Sequence, residues 1–172
     1  METILDMMVE GGAAGQGQGA SMIYHYMSND DVDTIFRYPN AAVASDGSVI
    51  AKGRAQPHPR SYGTNARILA DFVRDRGVLT LEDAVRRMTS LPARTFSFHD
   101  RGIIRQGFVA DLVLFDPDRV TDKATFEDPH QYSDGFDYVI VNGAIAVADG
   151  EPTNRRPGRF VPGRKARNQG ES

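Results

Sequence analysis

Between Ala41 and Arg60 the chain reads AAVASDGSVIAKGRAQPHPR, and this stretch decides the fold. Ala41 to Ala44 is small, apolar and unalternating, the composition of a strand buried on both faces. Ser45-Asp46-Gly47 ends the run with turn chemistry. A loop then leads through Pro57-His58-Pro59-Arg60. A carboxylate at the end of a buried strand, with a histidine and an arginine on the loop beyond, is how an α/β enzyme presents a catalytic acid and an anion clamp. The predicted fold class is α/β.

Upstream, Thr3 to Val9 has helical spacing, with Ile4, Leu5, Met8 and Val9 on one side. The glycine-rich run Gly11 to Ala20 lacks the Gly-Lys-Ser/Thr ending and a preceding strand, so it meets neither phosphate-loop nor dinucleotide patterns. Ser21 to Tyr26 is a strand candidate. Ser28 and Asp31 have capping-box spacing before a short helix with Val32, Ile35 and Phe36 on its apolar face, which Pro39 ends.

Downstream, the Pro57–Arg60 loop precedes a helix predicted over Asn65 to Arg76, stopped by Gly77. A second helix spans Thr80 to Thr89, with Thr80 and Asp83 at capping spacing, and Leu91-Pro92-Ala93 opens a further turn. Beyond Asp100 the pattern becomes β-rich. Asp111 to Asp116 is a strand, and Tyr138 to Val141 and Ala144 to Ala148 are strands joined by Asn142-Gly143, the strongest short hairpin signal. From Asn154 the chain is rich in Arg, Gly and Pro and reads as irregular. The predicted organisation is thus an α/β part over 1–99, a β part over 100–153 and a basic tail over 154–172.

The 172 residues carry a net charge of −3, so no basic field points to nucleic acid or to a membrane surface. No apolar run approaches the length of about 18 residues that a membrane helix needs, and the acidic start METILDMMVEGG is unlike a signal peptide. The absence of cysteine excludes disulfides, thiolate metal sites and a cysteine nucleophile, and fits a cytoplasmic protein.

Taken in order, Ser45-Asp46-Gly47, Pro57-His58-Pro59-Arg60, Tyr62-Gly63, the helix Leu79 to Pro92, Arg101-Gly102, the run Gly107-x-x-Ala110-Asp111-Leu112-Val113-Leu114-Phe115-Asp116-Pro117, and Val141-Asn142-Gly143 closely resemble the C-terminal part of the N-acyl-D-amino-acid deacylases (D-aminoacylases) of the amidohydrolase superfamily. The Gly-x-x-Ala-Asp-Leu strand and the Asn-Gly hairpin resemble the superfamily at large. The Ser-Asp-Gly to His-Pro-Arg arrangement is more specific and points to the D-aminoacylase branch. The resemblance implies the C-terminal portion of a (β/α)8 barrel followed by strands of a small β-sandwich. It also implies zinc at the carboxyl ends of the barrel strands, where barrel active sites lie. By the same resemblance Asp46 lies at the metal and shuttles a proton from the attacking water to the leaving amine, and Arg60 grips the substrate's α-carboxylate.

Read on residue type alone, Asp46-Gly47 is a turn whose aspartate caps loop backbone, and Arg60 is a surface arginine. The family order reverses both readings. His58 stands between a substrate contact and a rigid loop residue. Tyr62-Gly63 shapes the loop, and His99 and His130 are read as surface residues.

The rest of the family's metal set is missing. His25, His58, His99 and His130 form no His-x-His pair, and the family's bridging cysteine is absent. The expected function is hydrolysis of the amide bond of N-acyl-D-amino acids by metal-activated water, with this chain as the C-terminal fragment of the enzyme. The alternative is a non-catalytic remnant, or a complementing subunit that works with a chain carrying the N-terminal barrel half. Exposed apolar helix stripes and an unpaired strand edge would then make the isolated chain aggregate or require that partner.

Overall fold

The structure, a computed structural model, describes residues 23, 27–53 and 55–162. The helix predicted at Thr3–Val9, the glycine-rich run and all but Ile23 of the Ser21–Tyr26 strand candidate lie outside the described residues.

Helix α1 spans Asn29–Arg37 and starts on a complete capping box. The Asp31 backbone N–H donates to Ser28 Oγ at 3.2 Å, and the Ser28 N–H donates back to the Asp31 carboxylate at 3.2 Å. Val32 and Phe36 pack on the core, but Ile35 stays 51% exposed, so the buried face is narrower than the spacing suggests.

Helix α2 spans Arg60–Arg67 and continues as a π-helical run over Ile68–Asp75. It therefore begins at Arg60 and not at Asn65, a correction to the sequence reading. Ser61, Tyr62, Gly63 and Thr64 are poor helix formers, which hid this turn. Pro59 sets the entry with a backbone already helical at φ −49°, and Gly63 and Ala66 are buried by packing. The run ends at Gly77, whose φ is +60°. There the Phe72 carbonyl accepts from both Val78 N–H (2.8 Å) and Leu79 N–H (3.1 Å).

Helix α3 spans Leu81–Met88 and α4 spans Ser90–Thr95. Thr80 Oγ1 accepts the Asp83 N–H at 3.2 Å, the predicted cap. Four strands follow: β1 Leu112–Phe115, β2 Phe136–Val141, β3 Ala144–Ala148 and β4 Glu151–Pro152. They form one sheet in the order β1-β2-β3-β4, each pair antiparallel. Asn142 (φ 48°) and Gly143 (φ 78°) make the hairpin between β2 and β3, both in the left-handed region that a tight two-residue turn requires.

The core is Ala66, Ile68, Leu69, Phe72, Leu79, Ala84 and Val120, with Phe36, Val43, Phe115 and Phe136 packed against it. It draws on the helices and on the sheet side together. Val120 is fully buried and lies against Gly135, where a Cβ would fall 2.5 Å from the Val120 backbone. Arg76 ties α1 to the π-helical run: it pairs with Asp33 at 2.6 Å and Asp71 at 3.1 Å, and its guanidinium lies 4.4 Å from the Phe72 ring centre.

The strand expected at Ala41–Ala44 is not formed. Residues 41–50 are neither helix nor strand. The Val43 N–H donates to Arg87 O at 3.2 Å and the Ala41 N–H to Tyr38 O at 3.1 Å. Ala42 and Ala44 are exposed, while Val43 packs on the core. A strand of this composition needs a ladder on its edges and cover on both faces. Among the described residues no strand lies beside it.

Candidate functional site

The run-up to Asp46 is held by α3. Arg87, only 3% exposed, donates to Asp83 Oδ2 at 2.7 Å, to Tyr38 O at 2.8 Å and to Ala41 O at 3.2 Å. Arg86 shares Asp83 at 2.8 Å and also reaches Pro39 O. Burial by itself would raise the Asp83 carboxyl. The hydrogen bonds from Arg87 and Arg86 outweigh it and hold the group below its ordinary value. These two arginines do for residues 38–43 what neighbouring strands would do in a sheet.

Beyond this anchor the chain turns at Asp46, whose φ is +46°. Aspartate is among the few non-glycine residues that adopt this left-handed backbone readily. Gly47 then touches the start of α2: a Cβ there would lie 2.8 Å from Ser61 Cα and 3.2 Å from Arg60 O. The Ser48 N–H donates to Ser61 Oγ at 3.2 Å, and the Gly47 N–H to Ser45 Oγ at 3.3 Å. Only a residue without a side chain lets the aspartate loop sit this close to the helix.

That approach brings two of the sequence-predicted residues together. Arg60 Nη2 lies 2.9 Å from Asp46 Oδ2, with the side chains 44% and 83% exposed. Arg60 occupies the first position of α2, not a loop, so its backbone is fixed by the helix. His58 precedes it. Its Nδ1 accepts the Arg60 backbone N–H at 3.1 Å, and its ring meets Phe126 edge-on at 5.0 Å. His58 thus shapes the entry to the helix that carries Arg60.

His130, read from the sequence as a surface residue, is instead half-buried and bonded at both ring nitrogens. Tyr62 Oη lies 2.9 Å from Nδ1, and Nε2 lies 3.0 Å from Ala55 O. Nothing local in the sequence signals this, because its partners are 68 and 75 positions away. His99 is exposed as expected.

The described side chains do not compose a metal centre. Among the described residues no group of three or more His, Cys, Asp or Glu comes together, whereas a zinc site takes at least about three protein ligands. Asp46 is a lone carboxylate, engaged with a cation. Chemically, the pair offers a solvent-open carboxylate able to exchange protons and a guanidinium able to bind a carboxylate in a fork. Among the described residues no helix is long and apolar enough to cross a membrane.

The order of motifs and the fold set the class. The amidohydrolase family model matches residues 29–147, and the chain belongs to that family. Over 143 residues it is 46% identical to an N-acyl-D-aspartate deacylase of Alcaligenes xylosoxydans xylosoxydans, covering 83% of this chain and 28% of that protein. The crystal structure of a D-aminoacylase superposes with a TM-score of 0.75 at 37% identity, over 87% of this chain and 32% of that one. An N-acyl-D-glutamate deacylase from Bordetella bronchiseptica, complexed with zinc and a phosphonate inhibitor that mimics the tetrahedral intermediate, superposes with a TM-score of 0.71 at 42% identity, over 87% of this chain and 33% of that one. The chain therefore spans less than a third of the length of these relatives.

Proposed function

We propose that this chain is the portion of an N-acyl-D-amino-acid deacylase that carries Asp46 and Arg60, and that the whole enzyme hydrolyses the amide bond of N-acyl-D-amino acids. The observation that carries this reading is the convergence of Asp46 and Arg60 at 2.9 Å on an open face, from two elements joined through Gly47. In this reading residues 1–99 are the C-terminal part of a (β/α)8 barrel, 41–46 its last strand once neighbours are supplied, and 100–153 the β-sandwich portion.

Arg60 binds the substrate's α-carboxylate through two N–H···O bonds. Asp46 takes a proton from the attacking water and delivers it to the departing nitrogen, which would otherwise leave as an unstable amide anion. His58 borders the bound substrate. Both groups must first release each other. An exposed ion pair is worth only about 0–1 kcal/mol, so a substrate carboxylate displaces Asp46 from Arg60 at little cost. Zinc enters this reading through the relative that holds it, and this chain contributes one carboxylate, Asp46, toward such a centre.

The exposed, unladdered segment 41–50 calls for cover from the N-terminal barrel half, whether in the same chain or in a second one that this chain complements. The test is to assay this chain alone, and mixed with such a partner, for zinc content and for carboxylate release from N-acyl-D-aspartate and N-acyl-D-glutamate. Activity is expected in the mixture, and Asp46→Asn should abolish it while leaving assembly intact. An active mixture indifferent to Asp46→Asn would remove the proposed role of Asp46.

A further inference from the structure

We propose that His130 and Tyr62 are positioning residues for Arg60, so that a loop leaving the sheet, around residues 122–132, sets where the anion clamp points. This rests on the reading of Arg60 as the carboxylate clamp.

Arg60 opens α2, and that first turn is fixed on one side by the Asp46–Ser48 loop and on the other by this loop. Gln56 Nε2 donates to Phe126 O at 2.9 Å and to Glu127 O at 3.2 Å. The ring of Phe126 receives that of His58, whose Nδ1 holds the Arg60 N–H. Gly63 lies so close to Asp122 that a Cβ there would fall 1.8 Å from its carboxylate oxygen. That oxygen is itself engaged by the Ala124 N–H at 3.0 Å. The helix start cannot rotate or slide without breaking these contacts.

His130 closes the arrangement. A backbone carbonyl only accepts, so the 3.0 Å contact with Ala55 O requires a proton on Nε2. In the neutral ring Nδ1 is then the acceptor, and Tyr62 Oη donates to it. The ring therefore bridges one residue before the clamp, Ala55, and one after it, Tyr62. Ala55 needs such a hold: its φ is +57°, a left-handed backbone that alanine adopts at a cost of about 1–3 kcal/mol. Tyr62 is further wedged by ring contacts of 5.6 Å to both His130 and Tyr132. Their hydrogen bonds and ring contacts reach Arg60 through its helix, and Asp46 only through the Arg60 pair.

The experiment uses the full chain with nitrogen-15 labelling. NMR reads the tautomer of His130 and the Arg60 Nε–H signal during titration with N-acetyl-D-aspartate. The expected tautomer carries its proton on Nε2. Tyr62→Phe and His130→Phe should each weaken probe binding by about tenfold, the size expected when one charge-assisted hydrogen bond is mis-set. His130→Gln should restore it, because an amide can donate to Ala55 O and accept from Tyr62. A purely structural role would not distinguish Gln from Phe at equal melting temperature. An Nδ1–H tautomer, or unchanged affinity in both Phe variants, overturns the proposal. If the unmodified chain binds the probe neither alone nor mixed with the N-terminal barrel half, the clamp reading itself fails. The positioning is then decided by whether the Arg60–Asp46 contact is lost in His130→Phe and regained in His130→Gln.

Discussion

The packing around Phe72 and the segment from Ala41 to Gly53 belong to one chain and follow different rules. Around Phe72, apolar side chains from α1, the π-helical run, α3 and the approach to the sheet close on one another. Between Ala41 and Gly53, Val43 packs on that core, while the rest is held by arginines, the Ser48–Ser61 hydrogen bond, a glycine contact and one ion pair, and Val49 is fully exposed. The first region closes largely on its own side chains. The second carries the candidate chemistry and leaves its faces open. On the proposed reading, stability and function reside in largely separate parts of the chain.

The largest effect should come from the closed region. Phe72→Ala removes a buried ring from the core and should cost about 4 kcal/mol in denaturant unfolding. Arg87→Met comes next. It strips Ala41 O of its Arg87 donor, leaves Tyr38 O with the Ala41 N–H, and leaves Asp83 with Arg86 alone. Asp83 keeps some contact with water, so the loss should be about 2 kcal/mol, below that for a fully buried pair. If the open segment depended on the core alone, this variant would leave residues 38–43 as protected from hydrogen exchange as before. Gly47→Ala should cost about 1 kcal/mol, because Ser61 Cα is backbone and must shift. Its signature is a lengthened Asp46–Arg60 distance with an unchanged core.

Acid should expose the same division. The Asp83 carboxyl is held below its ordinary value in the folded chain, so its contribution is present above the unfolded pKa and is lost as pH falls through the folded one. Unfolding measured as pH descends below about 4 should show a loss that Asp83→Asn does not share. The smallest effect on stability belongs to Arg60→Ala, under about 1 kcal/mol for an exposed pair. In the reconstituted enzyme the same change should raise KM far more than it lowers the melting temperature. A large stability loss from Arg60→Ala would mean that the two regions are not separable.

Much of this was legible in the residues. Capping pairs at Ser28–Asp31 and Thr80–Asp83, and the Asn142-Gly143 turn, are local devices whose physics lies within a few positions, and all three are formed. The first turn of α2 was hidden because Ser61 to Thr64 are weak helix formers, and packing of Gly63 and Ala66 overrode their propensity. The strand at Ala41–Ala44 was misjudged for the opposite reason. Its composition describes a buried environment, and that environment is not among the described residues. At the site, Asp46 and Arg60 stood out by type and order. The part played by His130 did not, since a histidine bonded to a tyrosine and a carbonyl far along the chain leaves no pattern in either neighbourhood.

The left-handed backbone at Asp46 bears on how this position can drift over generations. Asparagine and glycine fit φ +46° as well as aspartate or better, whereas alanine is strained there and a β-branched residue far more so. Replacement by asparagine would erase the carboxylate and keep the turn that seats Gly47 against α2. On the proposed role of Asp46, a lineage could lose the reaction in one step and go on folding and docking as before. Silent decay of the chemistry is cheap at this position, and decay of the shape is not.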